Sequence, residues 1–201
     1  MGEFAKRETY LFDRAGEHNT PLVAEAVAQR VEGGDLRFVI VATSSGHTAL
    51  QVARAVGAKA QVIAVTGAPY RREWGMRWPA LEEENRRELE RMGVPVLERA
   101  AYVFHDSVLE GSNWQGVFPE RLMKATLYAF GQGMKVAVEV ALMAVSSGVI
   151  EPYQDVVAVG GTSRGADTAV VLRATYPALV FSEDKSKRLE IREVLAMPVN
   201  K

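Results

Sequence analysis

The sequence predicts an α/β fold: a mostly parallel sheet flanked by helices, with an antiparallel strand near one edge. Three observations predict it. The run Arg37–Ala42 is apolar on successive residues, as in a strand buried on both faces. It passes through Thr43-Ser44-Ser45-Gly46 into the helix-like His47–Val56 and then the β-rich Gln61–Thr66, which is the order of a βαβ unit. Further on, "DVVAVGG" (155–161) and "TAVVLRA" (168–174) are separated only by "TSRGAD". A right-handed parallel crossover needs about a dozen residues, so these two runs predict a hairpin. Composition supplies the third observation: 201 residues that are 48% hydrophobic can cover both faces of a small sheet. One domain spanning 1–201 is expected.

The remaining elements follow from local signals. Glu8–Phe12 reads as a short strand. Asn19-Thr20-Pro21 reads as a cap followed by Pro at a helix start, with Leu22, Val23, Ala26, Val27 and Val31 near a 3.6-residue period and Gly33-Gly34 as the stop. Residues 67–79 have no period and carry Tyr70, Trp74 and Trp78 among arginines. A charged helix is expected from Pro79 to Gly93, with its acids towards the start. "VPVLE" (94–98) reads as a strand. Residues 99–118, with His105, Asp106 and Trp114, are irregular. Helices are expected over Pro119–Phe130 and Met134–Val145, broken by Gly131-Gln132-Gly133, and a last strand over Leu189–Pro198.

Composition also excludes classes of function. A net charge of -1 argues against nucleic acid and anionic membranes as partners. The absence of cysteine removes disulfides, thiolate metal sites and Cys nucleophiles, and is compatible with a cytoplasmic location. No secretory h-region is visible near the N-terminus, and the apolar run Val136–Val145 is too short for a bilayer. His18, His47 and His105 match no metal spacing, so no metal is expected.

Two loops carry the chemistry. In "TSSGHT", Thr43, Ser44, Ser45 and Thr48 bring hydroxyls to a helix start, Gly46 allows close backbone approach, and His47 is a candidate by position. A helix cap and turn would use the same residues. In "VGGTSRGADTA", Gly160 and Gly161 could let a ligand lie on the backbone, Arg164 could pair with phosphate, and Asp167 could accept from a sugar hydroxyl. The alternative is a glycine-rich hairpin loop with Asp167 making an Asx-type turn. Thr162, Gly165 and Ala166 belong to the same segment. Glu139 lies in an apolar helix with Lys135 one turn earlier, as either a satisfied pair or a ligand-facing carboxylate. Tyr70, Trp74 and Trp78 either stack on a flat ring or close a core.

At these loops the sequence resembles a known family. "FVIVATSSGHTALQVARAVGAKAQVIAVTG" resembles the start of the C-terminal α/β domain of pyruvate kinase, and "DVVAVGGTSRGADTAVVLRA" its later strand, glycine loop and final strand. The chain is more similar still to stand-alone proteins of this length classed as pyruvate kinase α/β-domain-like, through Lys135–Val140, Val156–Ala169 and Met197–Lys201. The resemblance implies a three-layer α/β/α fold with one antiparallel strand. It implies an effector-phosphate role for Thr43, Ser44, Ser45, Gly46 and Thr48. His47 stands where the family often has Arg, which counts against a sugar bisphosphate. The stand-alone relatives imply bound flavin mononucleotide (FMN), with its phosphate at one loop and its ring nearby. Pyruvate kinase activity is not implied, because that chemistry belongs to a separate barrel domain, for which these residues leave no room.

The expectation is therefore a domain that binds a small phosphorylated ligand, FMN first. The first loop would form one wall and Gly160, Gly161, Thr162, Gly165, Ala166 and Asp167 the other, with Lys135 and Glu139 beneath. Two alternatives stand beside it. One is a flavin-dependent or sugar-phosphate enzyme using His47, Asp167 and Glu139 for proton transfer. The other is a ligand-free assembly module, a homo-oligomer built on edge strands and the Arg/Trp segment.

Overall fold

A computed structural model describes residues 6–105, 110–113, 116 and 118–200. Asp106, Trp114 and Lys201 lie outside the described residues. Seven strands form one sheet in the order β1-β7-β6-β5-β2-β3-β4. They are β1 (Tyr10–Arg14), β2 (Phe38–Ala42), β3 (Gln61–Val65), β4 (Val96–Leu97), β5 (Asp155–Gly160), β6 (Thr168–Arg173) and β7 (Glu190–Asn200). Every pairing is parallel except those of β6, which runs antiparallel to both β5 and β7. The expected hairpin and single antiparallel strand are present. β6 lies third from the edge.

The central strands explain the layers. Along β2, Val39 and Val41 enter one core and Ile40 the other; along β5, Val157 and Val159 oppose Val156 and Ala158. Alternate side chains face opposite ways, so a strand apolar at every position needs cover on both sides. Helices α1 (Thr20–Val31) and α2 (His47–Val56) cover one face, with Leu89 of α3 (Glu83–Arg91). Helix α5 (Gln132–Ser146) covers the other with support from α4 (Pro119–Tyr128). This is the three-layer α/β/α arrangement. Helix α5 is buried on almost all sides, because Gly133 and Gly160 remove the side chains that would hold it off the sheet. A Cβ on Gly160 would stand 2.2 Å from the Gly133 carbonyl oxygen.

Several boundaries differ from the sequence expectation. Helix α3 begins at Glu83 rather than Pro79. Leu81 is buried against Gly46, and the Glu82 amide donates to the Ser45 carbonyl at 3.1 Å, so a long-range contact occupies the segment that local signals would make helical. The break before α5 is at Gly131 (φ +115°) alone; Gly133 is already inside the helix. Asn19 holds the N-cap position of α1 but donates its side chain to the Arg14 carbonyl at 2.7 Å, so it joins β1 to α1 instead of capping. Among the described residues no helix is long and apolar enough to cross a membrane.

Candidate functional site

The pairing of β2 with β5 positions the site. The two strands are parallel neighbours with Val41 opposite Val159. Thr43 and Gly161 therefore leave the sheet side by side at its carboxyl edge. The chain then departs from β2 into α2 on one face, while α5, which precedes β5, lies on the other. Where flanking helices diverge in this way, open α/β sheets form a crevice. Here it is a cleft of about 1010 Å³. The first turns of α1, α2 and α5 all contribute to its wall through Thr20, His47 and Thr48, and Gln132 and Lys135. Helix N-termini carry unpaired amides and partial positive charge, so three of them favour an anion here.

The first loop commits two of its amides and leaves the helix it enters without a side-chain cap. The Thr43 amide completes the ladder to Val65 at 2.9 Å, and its hydroxyl accepts from the Gly46 amide at 3.1 Å, which folds the turn. No side chain caps α2. Thr43, Ser44, Ser45, His47 and Thr48 all line the cleft. Gly46 does not face it. Gly46 has φ +102°, and a Cβ there would meet Asn85 Cβ at 2.7 Å and Leu81 Cδ1 at 2.8 Å. Its close approach is to the protein's own core and not to a ligand.

The second loop is tied down by side-chain acceptors. Asp167 is fully buried, and its carboxylate accepts from the amides of Gly16 at 3.1 Å and Thr162 at 3.0 Å and from the Thr168 hydroxyl at 2.9 Å. The Ala166 amide donates to Thr20 Oγ1 at 2.9 Å. Gly165 (φ +67°) lies so near α1 that a Cβ would stand 2.5 Å from Glu17 Cα. Gly161, Ser163, Arg164 and Gly165 reach the cleft; Gly160, Thr162, Ala166 and Asp167 do not line it. The sequence offers Asp167 as a sugar-hydroxyl acceptor or as an Asx-type turn; its oxygens instead tie the loop to Gly16, Thr162 and Thr168, and it does not line the cleft.

Lys135 and Glu139 form the floor. They are 4% and 3% exposed, paired at 2.5 Å, and Glu139 also accepts from the Phe104 amide at 2.9 Å. The satisfied pair is present, and both of its members line the cleft. Burial pushes the Lys135 ammonium below the ordinary lysine value, while Glu139 pulls the other way.

Three cleft residues carried no usable signal in the sequence. Tyr102 stacks on Trp74 with centroids 5.5 Å apart, and His105 meets Trp74 edge-on at 5.2 Å. Burial, then the charges of Lys135 and Lys124, lowers the His105 pKa. Arg71 is buried in the 3-10 turn Pro69–Trp74 and reaches Ser44 Oγ at 3.4 Å. Of the three aromatics in 67–79, Trp74 lines the cleft. Tyr70 packs edge-on against Trp74, and Trp78 lies between Arg72 and Arg99.

The sequence matches the family model described as "Pyruvate kinase, alpha/beta domain" over residues 22–172. The chain belongs to this pyruvate kinase α/β domain family. The match runs from α1 through β6 and so includes both loops, the 67–79 segment and the Lys135–Glu139 floor. β1 and β7, which pair with each other, lie outside it. Among the described residues no group of three His, Asp or Glu gathers as it would around a metal ion.

Proposed function

We propose that this domain binds a small phosphorylated ligand, FMN before others, with the phosphate at the α2 N-terminus. The observation that carries the reading is the convergence of two loops on one cleft in which the α2 first turn has no side-chain cap. Open helix amides and flanking hydroxyls form an anion seat with no special motif. The residues suit FMN. Ser44, Ser45 and Thr48 offer hydroxyls to a phosphate, Gln132 and Ser163 offer polar groups to a ribityl chain, and Trp74 with Tyr102 offers a flat wall to a ring. When bound, FMN would supply hydride or single-electron chemistry. The protein's residues would hold it and keep water from part of its surface.

The test is native mass spectrometry of the protein as purified, followed by FMN titration. A bound mass of one FMN per chain, or quenched flavin fluorescence at micromolar protein, supports the reading. A colourless protein that leaves FMN fluorescence unchanged contradicts the flavin version.

A second reading rests on the floor. A buried amine of lowered proton affinity, a carboxylate and an imidazole share one cleft, a grouping suited to proton transfer. In this reading Lys135, Glu139 and His105 replace Asp167 as the proton-handling groups of an enzyme. NAD(P)H oxidation that stays at background with FMN present would remove the flavin-reductase form of this reading.

A further inference from the structure

The phosphate reading leaves one buried charge unexplained. Arg71 is 7% exposed, its Nε is buried without a hydrogen-bond partner, and among the described residues no carboxylate forms an ion pair with it. The contrast with Arg30 is direct: that side chain is 9% exposed and is held by both Asp35 and Glu193. A guanidinium withdrawn from water without an anion is costly, and proteins ordinarily pair it. The surroundings are built for it. A Cβ on Gly67 would stand 2.6 Å from Arg71 Nη1 and 2.8 Å from the Tyr102 hydroxyl, so glycine at 67 makes room for the guanidinium. Arg71 Nη1 then meets Ser44, inside the loop whose helix amides are uncapped.

Resting on the phosphate reading, we propose that Arg71 is the second jaw of the anion site and makes it selective for a terminal phosphate monoester. The α2 first turn and the guanidinium approach from different elements and meet at Ser44. An anion between them must offer oxygens to both. A terminal monoester has three free oxygens and nearly two charges, enough for helix amides on one side and a guanidinium on the other. A phosphodiester has two free oxygens and one charge, and an unphosphorylated ring has neither. The missing counter-ion of Arg71 is then the ligand itself, and the 67–79 segment that carries Arg71 and Trp74 is held in place by what binds.

The sign of the effect separates this role from a structural one. In phosphate-free buffer, Arg71→Met removes an unpaired buried charge, so the variant should melt at or above the wild-type temperature. Inorganic phosphate should stabilise the wild type, and its affinity should fall at least tenfold in Arg71→Met and several-fold in Arg71→Lys, which keeps the charge but loses the fork. Arg37→Met, an exposed arginine just before β2 and outside the cleft, should stay within about twofold. If Arg71→Met melts lower without anion and binds phosphate within twofold of wild type, Arg71 is structural and the inference is overturned while the phosphate reading stands. If the wild type itself does not bind phosphate, that reading fails as well. Should Arg71→Met not fold, the ¹⁵N resonance of wild-type Arg71 Nε decides: it shifts on phosphate addition if the proposal holds, and stays put if it does not.

Discussion

The two loops at the carboxyl edge look alike in sequence and behave oppositely in structure. Both follow an apolar strand, and both are rich in glycine and hydroxyl side chains. The first leads into a helix whose leading amides have no cap and face a cleft. The second turns back into an antiparallel strand, and a buried Asp167 collects its donors. The difference lies in what comes next. A loop entering a helix inherits unpaired N–H groups. A hairpin loop lacks that aligned set, and here the Asp167 carboxylate takes up the Thr162 amide. Composition alone therefore does not distinguish a loop that opens onto a helix N-terminus from one tied down by a buried carboxylate; the element that follows does.

Substitutions can break this comparison, and the largest effects should come from the second loop. Asp167→Ala leaves three donors without their acceptor and should cost about 4 kcal/mol of stability by the usual penalty for buried unsatisfied groups. Urea denaturation measures it; a loss under about 1 kcal/mol would mean that the carboxylate is not the organising group. Gly165→Ala combines a positive φ with a clash against the α1 entry backbone and should cost about 2–3 kcal/mol in the same assay. The first loop should respond in affinity instead. Ser44→Ala should leave stability within about 0.5 kcal/mol and weaken FMN or phosphate binding several-fold, about 1 kcal/mol, read by calorimetry.

The smallest effect is in pH dependence. The folded-state pKa of His105 is lowered below the ordinary histidine value of 6.5, so near and below that pH the unfolded chain binds more protons than the native one. Stability should rise with pH across that window and level off above 6.5. His105→Gln should flatten the slope in melting curves taken at a series of pH values; an unchanged slope would assign it to another group.

Much of the frame was legible in the sequence. The doubly apolar β2 and β5, the short hairpin connection and α2 with its closing Gly57 follow from periodicity and loop length, which are local properties. The start of α3 was not legible, since Leu81 and Glu82 are committed to Gly46 and Ser45 across the chain. In the site, Ser44, Lys135 and Glu139 could be picked out by their setting. Arg71, Tyr102 and His105 could not, because they come from aperiodic segments and acquire meaning only when Gly67 and Trp74 bring them together. The role of Asp167 was not legible either, because its partner Gly16 is remote in sequence.

In the proposed site the anion sits between the first loop and Arg71, and not on the second loop. Backbone amide NMR during FMN titration tests this directly. The predicted result is large shifts at Ser44, Ser45, His47 and Thr48 while Thr162 and Asp167 stay in place. Shifts concentrated on Thr162 and Asp167, or none in either loop at saturating FMN, would contradict it.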